Sequence, residues 1–302
     1  MAWDFRDFSP FAAVLLDLDG TIFHEDQVLP GAVELVRRLQ REGRNFACLS
    51  NSTTSPQRLQ HRLGKMGLDV PAERIYTACA AAAAYALEHF GVATKAKGIR
   101  RARVTDSSSP ATRREGKRRE TQKPHVFNLG TKGFHDMLEG KVVWANGAED
   151  ACDGVVCGAL TCAYVTEERM RAALTILRRQ SGSDRPTALL GMCADRVYPS
   201  PRGLEFGSGA MTTMMSYASG VPCVFTGKPE VVFFEELCGQ LGVEARKCLL
   251  IGDNLESDIR GARRMGMRSL LILTGVTQEK DLLGLNAGER PDGVVKGLLE
   301  LA

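Results

Sequence analysis

Short apolar runs that stop abruptly at polar side chains, each followed by a segment with helical spacing, constrain this chain more than any other feature. The first covers residues 12–16, "AAVLL" with its neighbour, and breaks at Asp17-Leu18-Asp19-Gly20-Thr21. No polar alternation interrupts it, so it suits a strand buried on both faces. In "PGAVELVRRLQREG" Val33, Val36 and Leu39 recur at helical spacing, with Pro30 near the start and Gly43 at the end. "NFACLSN" is a second buried strand, and "SPQRLQHRLGKMG" a second helix, with Ser55 placed to cap it and Pro56 in its first turn. "CVFTGKPEVVFFEELCGQLG" and "KCLLIGDNLESDIRGARRMG" repeat strand, turn and helix, and "RSLLILTG" adds one more strand. This alternation predicts an α/β protein whose core is a doubly wound, Rossmann-like parallel sheet.

The chain has 302 residues, which at roughly 150 residues per domain suggests two domains. Between the two halves of the core lie about 150 residues with their own strand-like pieces ("HVFNLG", "GVVCGAL", "TALLGM") and a helix ("TEERMRAALTILRRQ"). They read as an inserted α/β cap. The division is a first core part at 1–66, a cap at 67–219 and a second core part at 220–302. "ACAAAAAYAL" reads as a packed helix. Residues 95–123 stand apart, with eleven Lys/Arg against three Asp/Glu and a Ser/Pro-rich middle. So little apolar surface does not offset ordering entropy, and the segment reads as a mobile basic loop.

A net charge of +3 is too small to imply a nucleic-acid partner, and no window of 18 apolar residues implies a membrane span. "MAWDFRDFSPF" has the pattern of neither a signal nor a transit peptide. The nine cysteines form no CxxC pair, and many sit in apolar runs. The reading is a reduced, cytoplasmic protein whose cysteines act as small hydrophobes.

Asp17 and Asp19 stand two apart at a strand end, where side chains share a face and like charges raise each other's proton affinity or demand a cation. Three more polar clusters close strands: Ser50-Asn51-Ser52, Gly227-Lys228-Pro229, and Gly252-Asp253-Asn254 with Asp258 five residues beyond Asp253. In an open parallel sheet the carboxyl ends of the strands line one crevice. Several carboxylates there, with no His or Cys, favour a hard cation such as Mg²⁺. The remaining lysine, hydroxyl and amide are donors suited to an anion, and together these groups make a phosphate clamp. One carboxylate of the pair would attack phosphorus and the other manage the leaving-group proton.

"DLDGT", "LSN", "GKPE" and "GDNLESD", in this order and at strand ends, resemble the four signature motifs of the haloacid dehalogenase-like hydrolases. "NSTTSPQRL" and "FTGKPEVVFF" are similar to the class IIA branch, which includes p-nitrophenyl-phosphate, pyridoxal-phosphate and nucleotide phosphatases. The resemblance implies a Mg²⁺-dependent phosphatase acting on small phosphorylated metabolites through an aspartyl-phosphate. Asp17 would be the nucleophile and Asp19 the general acid, then base. Ser50 and Asn51 would hold phosphate oxygens, and Lys228 would neutralise them. Asp17, the backbone carbonyl of Asp19, and Asp253 would bind Mg²⁺, with Asp258 orienting Lys228 or a metal-bound water. In the cap, Cys193-Ala194-Asp195 stands where many relatives carry Asn-x-Asp. Asp195 and Tyr198 either reach the substrate from there or stabilise a turn.

The rival reading is a catalytically weak regulatory protein on the same fold. Loss of turnover would show as a broken nucleophile or lysine, and both are present. A cap that closes over the crevice argues against nucleic acid as substrate, and a homodimer through the cap is allowed for. Nucleotides, sugar phosphates, phosphoglycolate and pyridoxal phosphate fit the core motifs equally.

Overall fold

The computed structural model describes residues 3–90, 123–160, 162–179, 186–200 and 202–301. The basic stretch 95–123 therefore lies, apart from Lys123, outside the described residues. The chain opens with β1 (Ala13–Asp17), α1 (Ala32–Arg41), β2 (Phe46–Ser50), α2 (Pro56–Lys65) and β3 (Ile75–Thr77). It continues with α3 (Ala78–His89), β4 (His125–Leu129), α4 (Lys132–Leu138), β5 (Val143–Ala145), β6 (Gly154–Cys157) and α5 (Glu167–Arg179). Next come β7 (Ala188–Gly191), a hairpin of β8 (Val197–Ser200) and β9 (Gly203–Phe206), α6 (Ser208–Ser219) and β10 (Cys223–Phe225). It closes with α7 (Val231–Leu241), β11 (Cys248–Gly252), α8 (Arg260–Arg264), β12 (Arg268–Ile272) and β13 (Gly293–Val295).

Two parallel sheets result. The first runs β13-β12-β11-β1-β2-β3 and the second β10-β7-β6-β4-β5. The central strands of the first sheet are apolar throughout because helices cover both faces. Val14, Leu16, Cys48, Leu249 and Ile251 pack with Leu35, Leu39, Leu59 and Leu63 of α1 and α2. Their alternates Ala13, Leu15, Ala47, Leu49 and Leu250 pack with Phe233, Phe234 and Leu237 of α7. Each fully buried Val, Leu, Ile or Phe among these contributes about 1.5–3 kcal/mol. In the second sheet Val126, Val156 and Leu190 face the alanines of α3, while Phe127, Val155 and Leu189 face α5 and α6. Small alanines let α3 lie close to the sheet.

The sequence reading puts "CVF" in the core sheet, and the structure corrects this. β10 pairs with β7 at the edge of the second sheet, Cys223 against Leu189. Val224 remains exposed, as suits a three-residue edge strand, whereas both sides of β1 are already taken by β2 and β11. Conversely Ile75–Thr77, inside the segment assigned to the cap, is a strand of the first sheet. Ser55 occupies the position before α2, but its hydroxyl makes no capping bond. All nine cysteines are free thiols. Among the described residues no helix is long and apolar enough to cross a membrane.

Register carries the site. Asp17 sits opposite Leu49, one residue before Ser50, and Leu16 sits opposite Ile251, two residues before Asp253. The three polar strand ends therefore emerge at one edge of the sheet.

Candidate active site

β1 ends at Asp17, which is buried, and the chain turns sharply at Gly20 with φ +85°. A Cβ on Gly20 would lie 2.8 Å from Asp253 Cγ and 3.1 Å from Gly275 Cα, so the turn leaves room for the Asp253 carboxylate only because Gly20 has no side chain. Asp19 lies beyond Asp17 and reaches solvent. Its Oδ2 accepts a bond from Ser50 Oγ at 3.2 Å, and Ser50 Oγ in turn accepts from Ser52 N at 3.0 Å.

Lys228 is buried, and its Nζ donates to Asp17 Oδ1 and, at 2.7 Å, to Asp258 Oδ1. Its position comes from the loop after β10, so a strand of the second sheet delivers the lysine to the first. Asp258 is brought round by the single helical turn at Leu255–Ile259, which Asn254 caps by accepting from Glu256 N and Ser257 N. Its other oxygen accepts from Asn254 N at 3.2 Å. Asp253 accepts from Val276 N, and Thr277 N donates to the Asp253 carbonyl at 3.2 Å.

The carboxylates are perturbed as their burial requires. Burial pushes Asp17 up to about 7; Lys228 opposes this, and Asp253 and Asp19 add to it. Burial, then the charge on Asp258, takes Asp253 to about 6. Burial, then the charge on Asp17, takes Asp258 to about 7. Partial loss of hydration raises Asp19 against the pull of Arg62, the Ser50 bond and Lys228. Burial works against the charge on Lys228, but Asp17 and Asp258 outweigh it and hold the ammonium more firmly protonated than in water.

Asp17, Asp253 and Asp258 offer carboxylate oxygens that all lie within 4.8 Å of one another. Three ionised carboxylates against one ammonium leave two negative charges in a buried space, the complement of one divalent cation. Asp17 Oδ2 is buried with no hydrogen-bond partner, and among the described residues it is the one carboxylate oxygen in that state, beside the hydroxyls of Thr21 and Tyr76. Oxygen-only donors and this unpartnered carboxylate oxygen fit Mg²⁺. Both oxygens of Asp258 are already engaged by Lys228 and Asn254, so Asp17 and Asp253 hold the free donor capacity.

Of the residues singled out in the sequence, Asp17, Asp19, Ser50, Lys228, Asp253 and Asp258 converge directly. Asn51 arrives in a different state. Its Oδ1 accepts from Lys228 N at 2.8 Å, and its Nδ2 donates to Lys228 O at 3.1 Å and to Asp195 Oδ1 at 3.2 Å. A carboxamide has two N–H donors, and both are used. The side-chain donors of Asn51 are thus engaged within the protein, by Lys228 and Asp195. The loop 274–277 was not anticipated. Thr274 Oγ1 donates to Gly20 O at 2.7 Å, and Leu255 N donates to Thr277 Oγ1 at 3.3 Å, so this loop braces two motifs at once. A hydroxyl and glycine directly after the strand "RSLLIL", the pattern of the other strand ends, are its only signal in the sequence.

Comparison with known proteins finds similar hydrolases over nearly the whole chain. Residues 14–141 match a family model described as haloacid dehalogenase-like hydrolase, and residues 225–301 one described as HAD-hydrolase-like. The 5'-nucleotidase YutF of Bacillus subtilis is 27% identical over 293 residues, covering 96% of this chain and 97% of its own. The solved 4-nitrophenylphosphatase of Thermotoga maritima superposes with a TM-score of 0.76 at 25% identity, over 97% of each chain. A glycerol phosphate phosphatase of Mycobacterium tuberculosis, solved with magnesium, gives a TM-score of 0.77 at 23% identity, over 97% of this chain and 78% of its own, and shares the fold.

Proposed function

We propose that this chain, which belongs to the haloacid dehalogenase-like hydrolases and is a phosphatase of their class IIA branch, hydrolyses small phosphomonoesters with Mg²⁺ through a phosphorylated Asp17. The observation that carries the proposal is the orphaned Oδ2 of Asp17, whose partner oxygen is held by Lys228. A carboxylate oriented by one oxygen and unpartnered at the other is a nucleophile held ready.

Attack by that oxygen on phosphorus forms the Asp17–phosphate bond and breaks the ester bond. The departing oxygen takes a proton from Asp19, whose raised proton affinity suits it to an acid. Asp19, now a carboxylate, removes a proton from water, which attacks phosphorus, releases inorganic phosphate and restores Asp17. Lys228 offsets phosphoryl charge, and Asp258 holds its ammonium in place. Ser50 donates its one hydroxyl proton to Asp19 and keeps that carboxylate directed into the crevice; rotated away from Asp19, the same hydroxyl would donate to a phosphate oxygen. Asp17, Asp253 and the backbone carbonyl of Asp19 would hold Mg²⁺, which when bound supplies positive charge against the phosphoryl oxygens. The names of the relatives, a 5'-nucleotidase, a 4-nitrophenylphosphatase and a glycerol phosphate phosphatase, support a small phosphomonoester as the substrate class. The division into core and cap follows sheet membership in this reading, with the second sheet as the cap.

Asp17→Asn tests the assignment with p-nitrophenyl phosphate and Mg²⁺. The amide is expected to abolish turnover in a folded protein. Retention of more than about a tenth of the rate, a loss under about 1.4 kcal/mol, sinks the nucleophile.

A further inference from the structure

We propose that Asn51 is a positioning residue that makes the placement of Lys228 depend on the seating of the second-sheet loop that carries Asp195. The inference rests on the phosphatase reading above. One carboxamide brackets the Lys228 peptide, accepting from its N–H at 2.8 Å and donating to its carbonyl at 3.1 Å. The second N–H of the same group goes to Asp195 Oδ1 at 3.2 Å. The three segments meet with no slack. A Cβ on the neighbouring Gly227 would lie 2.7 Å from Asn51 Oδ1, 2.7 Å from Cys193 Cβ and 2.8 Å from Met192 O. Asp195 is itself held, since Gly209 N donates to Asp195 O and Gly207 N to Arg196 O, each at 2.9 Å. The position of Asp195 is therefore set by the start of α6, and Asn51 passes that position to the peptide of Lys228. When the Asp195 loop is unseated, the lysine keeps its ion pairs but loses the backbone reference that aims it at a phosphoryl group.

The test uses the full-length chain with Mg²⁺, measuring kcat and KM for p-nitrophenyl phosphate and two alkyl phosphates, and Tm. Asp195→Ala is expected to lower kcat about tenfold, because small misplacements of catalytic groups cost up to ~100-fold. The loss should be equal across leaving groups, with KM and Tm little changed. Asp195→Asn keeps an acceptor and should stay within about threefold of wild type. Asn51→Asp removes both donors and should lose about 100-fold. Asn51→Asp/Asp195→Asn restores a donor–acceptor pair of reversed polarity and should recover at least about tenfold over Asn51→Asp. A double variant no better than Asn51→Asp, or Asp195→Ala indistinguishable from wild type, overturns the latch. A loss in KM that varies with leaving group overturns it too, in favour of direct substrate contact. A wild-type chain that turns over no phosphomonoester refutes the phosphatase reading instead. Wild type, Asn51→Asp, Asp195→Asn and the double variant in urea then decide the latch separately, where absence of coupling between positions 51 and 195 refutes it.

Discussion

Replacing Lys228 by Met removes the one ammonium between two buried carboxylates and keeps most of the side-chain volume. Lys228 is 3% exposed, Asp258 0% and Asp17 4%, so water does not screen what remains. Breaking a buried pair from one side costs about 3–5 kcal/mol, because the stranded charge stays desolvated. The cost should depend on pH. Asp17 and Asp258 already sit near 7 with the lysine present, far above the value of an unfolded aspartate. Their native forms therefore bind more protons than the unfolded chain, and stability falls as pH rises from about 4 towards 7. Without Lys228 both carboxyls rise further. At pH 8 without metal, Lys228→Met should unfold at lower urea by the full amount, whereas at pH 5 the gap should narrow to under about 1 kcal/mol. Asp258→Asn added to Lys228→Met should return part of the loss at pH 8. A deficit that is small at pH 8, or the same at both pH values, refutes the account of a lysine compensating two buried charges.

Three further outcomes follow from the same site. The metal-free wild type should lose stability between about pH 4 and 7 as Asp17, Asp253 and Asp258 ionise, and Mg²⁺ should flatten that slope; urea midpoints across pH with and without Mg²⁺ measure it. Activity should vanish in chelator, return with Mg²⁺ and return poorly with Ca²⁺, whose wider, more numerous bonds suit a small octahedral site badly; full turnover in chelator would remove the metal from the reaction. Gly20→Ala should cost about 1–2 kcal/mol of stability from its left-handed backbone and raise the Mg²⁺ concentration needed for half-maximal rate, because its methyl displaces Asp253; an unchanged Mg²⁺ titration would count against that cradle.

Burial and local geometry were written in the sequence. An apolar run ending in Asp17 becomes β1 because side chains two apart must face the same way, and both faces are covered. "NFACLSN" and "KCLLIGD" become β2 and β11 for the same reason, so the carboxylate- and hydroxyl-bearing ends were legible before any pairing was known. The alanine run "ACAAAAAYAL" was likewise legible as the packed helix α3. Strands of three residues were not. Ile75–Thr77, Val143–Ala145 and Gly293–Val295 carry too little periodicity to stand out, and "CVF" was visible as a strand but not as a partner of β7. Which edge a strand joins depends on what else competes for that edge, and this is a property of the assembled sheet. The same limit applies to Asn51. Its residue type marks it as a donor beside a phosphate site, but its two N–H groups are claimed by Lys228 and Asp195, 177 and 144 residues away. A side chain's chemistry is local and can be read from its letter; which of its bonds are already made depends on the tertiary structure.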